Sequence, residues 1–456
     1  MSNTDSYMQC LTPAALRDVT GGALRGELPT GEITAITTDS REITPGCLFA
    51  AIPGNRADGH DYISAAAAAG AACALCNRFV EAEIPQLLVP DTQAALRQIA
   101  AFYRRQFNIP FVGITGSVGK TTAKEMIWSV LSTHFRTLKT EKNFNNELGV
   151  PLTLFRLRRG DEAAVVEMGI SGFGEMTRIA DMVRPDIAVF TLIGDAHLEF
   201  LGDREGVLRA KAEVVSGMRE DGVVIANGDD PLLRAYDFHR RTVLFGTSEG
   251  CAVRAVQIGN SVPDGMKCVI EAGERRIPVT IPAFGKHMIY AALMGAAVGL
   301  ELGLSDEEIR NGVARYETVG SRGRVLEAGG ITVLDDCYNA NPTSTKNALD
   351  SLCSLPGRHV AILGDMLELG ECSPSLHREV GRYASDAGTI VIACGPLSKH
   401  TAEGGGEGSR WFPDTEALIT ALPDLVRPGD AVLVKASHAM GFENVVKALE
   451  SNAAGT

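Results

Sequence analysis

Five side chains in this sequence are of the types that handle phosphate and magnesium: Lys120, Thr121, Glu167, His197 and Lys211. Lys120 and Thr121 belong to the run Gly116, Ser117, Val118, Gly119, Lys120, Thr121, Thr122, which follows Ile109, Pro110, Phe111, Val112, Gly113, Ile114 and Thr115. An apolar strand that ends in a glycine-rich turn lets backbone N–H groups face an anion. The helix predicted from Thr121 to Thr133 points its positive end at the same place. Lys120 would then meet the outer phosphates, and the Thr121 hydroxyl a magnesium ion. The strict pattern has a glycine where this chain has Ile114, so the match is to a shorter Gly-x-x-Gly-Lys-Thr. A strand, turn and helix with a surface lysine is the plain alternative. The motif names a nucleotide and no reaction.

Glu167 directly follows the apolar run Ala163 to Val166, which suits a carboxylate holding magnesium beside the threonine. His197 follows the strand predicted to end at Leu192 and a short loop, where it would complete a metal site or contact a phosphate. On a helix predicted from Arg204 to Met218, Lys211 shares one face with Val207, Val214, Val215 and Met218. A lysine centred on an apolar stripe must be paired, snorkel or be chemically altered. Burial lowers its pKa and makes the neutral amine reactive, so carbamate formation with CO2 is one chemistry open to it.

For these groups to meet, strands must deliver them to one edge, as in doubly wound sheets where ligands collect at carboxyl ends. The sequence reads as α/β throughout. Residues 1–108 form a small unit with strands at Leu48 to Ile52 and Ala72 to Cys76, and an Ala-rich helix from Tyr62 to Gly70. Residues 109–325 alternate strands and helices, the clearest strands being Phe111 to Thr115, Ala163 to Glu167, Ile187 to Leu192 and Val223 to Ala226. That pattern predicts a mostly parallel sheet covered on both faces. Residues 326–456 repeat the pattern, with strands at Ile331 to Asp335, Val360 to Leu363, Ile390 to Ala393 and Ala431 to Val434. Gly329 and Gly330 are the expected flexible join, and Gly404 to Gly406 a surface loop.

Other segments invite a chemical reading and also have a plainer one. Asn143 to Pro151 is a polar, Asn-rich turn, and Asp335 to Pro342 places polar groups right after a strand. Asp58, Gly59, His60 and Asp61 resemble a metal cluster by composition, but a glycine turn with a helix cap is simpler. Cys73 and Cys76 form a C-x-x-C inside a predicted strand, where odd spacing sends the side chains to opposite faces.

A chain of 456 residues exceeds one ordinary core, and length suggests about three domains. With 45% hydrophobic and 22% charged residues and a net charge of −13, it reads as a globular protein whose main partner is not nucleic acid. Met1 to Asp5 has neither a basic segment nor an apolar core, and no apolar run approaches a membrane span. A cytoplasmic location is the expectation, with ten cysteines held as reduced thiols.

Taken together, these segments resemble the Mur ligase family nearly end to end. In the first domain the resemblance rests on Asp39-Ser40-Arg41, Pro45 to Phe49 and Asp58 to Ile63. In the second it rests on Thr115 to Thr122, Asn143 to Pro151, Glu167-Met168-Gly169, His197-Leu198-Glu199 and Arg209 to Glu213. In the third, Asp335 to Pro342 and Gly364 to Gly370 are similar to the branch that adds D-alanyl-D-alanine to UDP-N-acetylmuramoyl-tripeptide. The family implies a UDP-binding first domain, a P-loop ATPase-like second and a Rossmann-like third. It implies ATP held by Thr115, Gly116, Ser117, Val118, Gly119, Lys120, Thr121 and Thr122, with His287, Arg324 and Asp336 near the nucleotide. It implies two magnesium ions on Thr121, Glu167, His197 and a carbamylated Lys211, with Lys120, His197 and Lys211 catalytic. Substrate contacts implied are Ser40, Arg41, Asp58, His60, Asn145, Asn146, Tyr338, Asn339, Asn341 and Ser437.

The activity implied is ATP-driven peptide-bond formation through an acyl phosphate in peptidoglycan precursor synthesis, by a monomer. Another Mur enzyme, a folylpolyglutamate synthase or a non-ligase P-loop ATPase are the alternatives. Two departures from the family pattern stand out. Met288 replaces an asparagine expected at the adenine, and His438 replaces an arginine in Lys435-Ala436-Ser437-His438, exchanging a fork of donors for a titratable ring. The third domain is expected to close over the second about Gly329-Gly330, bringing Asp336 and Ser437 to the site.

Overall fold

A computed structural model describes residues 11–27, 30–54, 57–195, 197–261, 265–283, 285–318 and 320–453. The N-terminal Met1 to Asp5 segment lies outside them. Three sheets divide the chain. The first is five-stranded, in the order β1-β5-β4-β3-β2, from β1 (Ala23–Arg25), β2 (Ile36–Thr37), β3 (Leu48–Ala50), β4 (Cys73–Cys76) and β5 (Gln86–Leu88). Cys73 and Cys76 face different apolar clusters, as their odd spacing requires. Burial pushes the Cys73 thiol up to about 12, which leaves it an inert packing residue.

The second sheet has β6 (Phe111–Thr115), β7 (Thr137–Lys139), β8 (Ala163–Glu167), β9 (Ile187–Phe190), β10 (Val223–Asn227), β11 (Arg241–Gly246), β12 (Val253–Ser261), β13 (Gly265–Ala272) and β14 (Arg275–Ile281). Its nine strands run β14-β13-β12-β11-β10-β9-β6-β8-β7. From β7 to β12 the pairings are parallel, and β12, β13 and β14 add an antiparallel meander. The expectation of a mostly parallel sheet therefore holds for the part that carries the motifs. Along β14, buried Ile277, Val279 and Ile281 alternate with Arg276, Pro278 and Thr280 on the less buried side, which marks a sheet with one wet face.

The third sheet contains β15 (Arg324–Ala328), β16 (Ile331–Asp335), β17 (Arg358–Gly364), β18 (Ile390–Cys394), β19 (Arg410–Phe412) and β20 (Asp430–Lys435), ordered β15-β16-β20-β17-β18-β19. Gly329 and Gly330 prove to be the tight turn of the β15–β16 hairpin, with φ 56° and 78°. They are therefore not a join between domains: a two-residue turn between paired strands needs left-handed residues. Gly404 and Gly405 likewise end a helix, Lys399–Gly405, instead of forming a loop. A side chain at Gly404 would collide with the Arg378 backbone of the neighbouring helix.

One apolar cluster runs without a break from Leu16 and Leu48 of the first unit to Phe111, Val166 and Phe190 of the second. Arg104 sits at that seam, its guanidinium donating to the carbonyls of Val183, Phe107 and Arg184 and lying 3.6 Å over the Phe111 ring. Burial lowers its pKa to about 10. The third unit keeps separate clusters on the two faces of its sheet. Among the described residues no helix is long and apolar enough to cross a membrane.

Candidate active site

The carboxyl ends of β6, β8, β9 and β10 open on one cavity of about 660 Å³, and the ends of β16 and β20 close it from the third unit. At the end of β6 the chain turns through Gly116 (φ 144°) and Gly119 (φ 83°), and the helix Lys120–Leu131 begins. A side chain at Gly116 would overlap Thr191 Oγ1, so only glycine lets the turn press on the loop after β9. Thr191 Oγ1 donates to the Val118 carbonyl at 2.6 Å, and Ser117 Oγ accepts from Gly194 N–H at 2.9 Å. The phosphate turn is thus tied from behind. Thr115 Oγ1 is buried without a hydrogen-bond partner. Lys120 Nζ donates to Gly116 O at 2.8 Å, and burial lowers the pKa of this ammonium.

Glu167, only 3% exposed, is the hub of the site. Its Oε2 accepts from Thr121 Oγ1 and its Oε1 from Asn145 Nδ2, both at 2.9 Å. Thr140 Oγ1 takes the Glu167 N–H at 3.0 Å. A carboxylate and a hydroxyl side by side are hard oxygen donors of the kind magnesium takes, so these residues fit one such ion. Asn146 does not join them. Its Oδ1 caps the N–H groups of Leu148 and Gly149.

His197 adopts a left-handed backbone, φ 55°, and its Nδ1 lies 3.0 Å from Glu368 Oε2 of the third unit without hydrogen-bond alignment. Burial lowers the imidazole pKa; Glu368 opposes that, and the charges of Lys211 and Lys120 add to it. Those three residues therefore act on one small region. The helix expected to reach Met218 stops at Ala212 and continues as a 3₁₀ turn, Glu213–Gly217. The even apolar stripe is lost there, yet Lys211 is 1% exposed. Among the described residues no carboxylate pairs with it, and burial, with Lys120 assisting, lowers its pKa well below 10.5. As an ammonium it fits no metal; as a carbamate it would be an oxygen donor beside His197.

Across the cavity, Lys435 Nζ donates to Asp336 Oδ2 at 2.6 Å and to Asn339 O at 2.8 Å, which fixes the loop after β16. Asp336, Tyr338, Asn339 and Asn341 all line the cavity. Asn341 also caps the helix Pro342–Cys353. Ser437 Oγ, by contrast, accepts the Leu367 N–H at 3.0 Å and holds the neighbouring loop. His287 lines the cavity too, with Nδ1 unpartnered and its pKa lowered by burial. Met288 points away into the core, 3% exposed, so the wall there is built by Tyr290, Ala291 and Met294. His438 stacks on Tyr338 with ring centroids 5.2 Å apart.

The first-unit candidates lie outside the cavity lining. Asp58 caps a 3₁₀ turn and contacts His60 Nδ1 at 2.6 Å, while His60 Nε2 accepts the Asn77 N–H. The cluster is a turn and cap, as its simpler reading has it. Arg41 is exposed and forks onto Asp39, and Ser40 opens the same short turn. Residues missed in the sequence include Asn227, Asp229 and Asp230, although Asn227 ends β10 as Glu167 ends β8 and the two aspartates come just after it. Burial pushes the Asp229 carboxyl up, but the hydrogen bonds it accepts from Ser248, Thr247 and Tyr290 OH outweigh that and hold it at about 2.

Fold and site define a class: a three-unit α/β enzyme whose nucleotide cradle faces a second sheet across a closed cleft. Family models match accordingly, the Mur ligase middle domain over residues 114–299, the Mur ligase, glutamate ligase domain over 315–438 and the Mur ligase family, catalytic domain over 32–104. The chain belongs to the Mur ligase family, of the MurF type, and is an ATP-dependent ligase. It is 36% identical over 454 residues to the UDP-N-acetylmuramoyl-tripeptide--D-alanyl-D-alanine ligase of Escherichia coli strain K12, covering 98% of this chain and 99% of that one. The crystal structure of MurF from Acinetobacter baumannii matches with a TM-score of 0.91 at 32% identity, over 97% and 99% of the two chains. MurF ligase from Thermotoga maritima, in complex with ADP, matches with a TM-score of 0.84 at 29% identity, over 92% of this chain and 98% of that one.

Proposed function

We propose that this chain joins D-alanyl-D-alanine to UDP-N-acetylmuramoyl-tripeptide with consumption of ATP, a step of peptidoglycan precursor synthesis. The observation that carries the reading is the Thr121–Glu167–Asn145 relay, set between a phosphate turn and the third unit's loop. A peptide carboxylate oxygen attacks the γ-phosphorus and the bond to ADP breaks. The amine nitrogen of the dipeptide then attacks the acyl carbon, and inorganic phosphate leaves with the activating oxygen. The chain's task is to align two anions and lower their repulsion. Lys120 faces the outer phosphates. Thr121 and Glu167 would hold one magnesium ion, and His197 with carbamylated Lys211 a second, where such ions neutralise developing phosphate charge.

Support for the carbamate is the burial of Lys211, which among the described residues has no carboxylate partner and is pushed toward its neutral amine; that amine would add CO2 and release one proton to give the anion that His197 and Lys120 face. Asn145, Tyr338, Asn339 and Asn341 are the substrate contacts on the cavity wall, and Ser40, Arg41 and the Asp58–His60 turn belong to the UDP end. ADP release should require the tripeptide nucleotide and D-alanyl-D-alanine together. Equal turnover with either one omitted would return the chain to the ATPase or other-ligase alternatives.

A further inference from the structure

Arg322 and Arg324 flank Gly323 in the segment joining the second unit to the third, and they point to different places. Arg324, at the start of β15, lies 3.8 Å from Asp335 Oδ2 and 3.8 Å from Glu450 Oε1, and its side chain is 47% exposed. It is absent from the cavity wall, contrary to the family expectation for this position. Arg322 lines the cavity together with Lys120 and Tyr338. Its guanidinium carbon is 3.6 Å from the centroid of the Tyr338 ring, the ring on which His438 also stacks. The Tyr338 N–H donates to Ser321 O at 3.2 Å, so linker and ring are tied at the backbone as well.

Among the described residues no carboxylate pairs with Arg322. A stacked guanidinium keeps its N–H donors at the edge of the plane, free for an anion. The Arg322 charge also reaches Lys120, where it adds to burial in disfavouring the ammonium, against the opposing pull of Glu167. Two cations facing one cavity repel until an anion lies between them. A P-loop lysine meets the outer phosphates, so the anion within common reach is the last phosphate of the chain.

We infer that Arg322 is a phosphate-binding residue of this ligase, its guanidinium held flat on Tyr338 and directed at the terminal phosphate of the nucleotide. The inference rests on the ATP reading of the cavity and adds a contact that the phosphate turn does not supply. Because Arg322 lies in the linker, the same contact ties the third unit's approach to the presence of a third phosphate.

The test is equilibrium binding of ADP and of a non-hydrolysable ATP analogue to the full chain, with magnesium, for wild type, Arg322→Ala, Arg322→Lys and Arg324→Ala. Arg322→Ala should weaken the analogue about 10- to 100-fold, the loss expected for one charge-assisted fork, and ADP by less than about threefold. Retained ADP binding shows that the variant is folded, and Arg322→Lys should keep part of the analogue's affinity. Equal weakening of both nucleotides, no weakening of either, or an analogue-specific loss that follows Arg324→Ala instead would overturn the inference. Wild-type protein that bound neither nucleotide would be a different failure, that of the ATP reading itself.

Discussion

Replacing Lys211 with methionine separates what the buried ammonium costs from what it does. The side chain is 1% exposed, on a helix that also buries Val207 and Leu208, and the charge that acts on it is that of Lys120. An uncompensated buried charge costs several kcal/mol, but deprotonation caps that cost, so we expect Lys211→Met to stabilise the fold by about 2–4 kcal/mol at pH 7. For a unit of this size that is roughly 4–16 °C in the midpoint of thermal unfolding. The sign follows from linkage. The folded pKa lies below the ordinary 10.5, so the unfolded chain binds more protons between the two values, and wild-type stability rises with pH across that interval. The advantage of methionine should therefore be largest below the folded pKa and fade as pH rises through 10.5. The assay is thermal unfolding in CO2-free buffer at several pH values, beside ADP release, which the variant should lose. Added bicarbonate should raise the midpoint of wild type and leave Lys211→Met unmoved. A methionine variant less stable than wild type at pH 7 would show the ammonium to be satisfied, and would remove the physical case for its modification.

Three further outcomes follow from the same geometry. Glu167→Gln keeps the shape of the Thr121 and Asn145 contacts but removes the charge, and should lower kcat by about 10²- to 10³-fold with little change in melting temperature. Gly116→Ala drives a methyl group into Thr191 Oγ1 at φ 144°, and should cost about 2–4 kcal/mol of stability. Adding Thr191→Ala should return part of that loss in a double-mutant cycle, whereas strictly additive effects would show that the collision is not the cause. His377 is buried with a lowered pKa, and its Nε2 accepts the Met366 N–H at 3.0 Å. The unfolded chain takes up this proton near the ordinary 6.5, so stability is kept above that pH and falls below it, by up to about 1.4 kcal/mol per pH unit. Urea unfolding between pH 7 and 5 should show a shallower acid limb for His377→Gln.

Most of what places the site was legible as runs of apolar residues followed by polar ones. Phe111 to Thr115, Ala163 to Glu167 and Ile331 to Asp335 appear as strands with the expected bounds, because buried parallel strands are nearly pure Val, Ile, Leu and Ala. Lys211 was legible as a misplaced cation, although the helix carrying it ends early. What stayed hidden depends on side-chain direction across long sequence separations. The sequence pointed to Arg324 and not to Arg322, and only the β15 pairing, with Asp335 and Glu450 beside it, shows Arg324 turned outward. Met288 looked like a lost adenine contact, yet the helix His287–Glu301 buries it on the core side. Gly329 and Gly330 have the composition of a linker, and only strand register shows them to be a hairpin turn.

In the proposed reaction the cradle's terminal phosphate goes to a peptide carboxylate and not to water. Turnover with UDP-N-acetylmuramoyl-tripeptide carrying ¹⁸O in its terminal carboxylate, together with D-alanyl-D-alanine and ATP, tests it directly by mass spectrometry of the phosphate released. Each inorganic phosphate should carry one ¹⁸O from the carboxylate, since the acyl carbon gives up the oxygen that attacked phosphorus. Unlabelled phosphate alongside ADP would mean hydrolysis by water, and would rule out an acyl phosphate on the path.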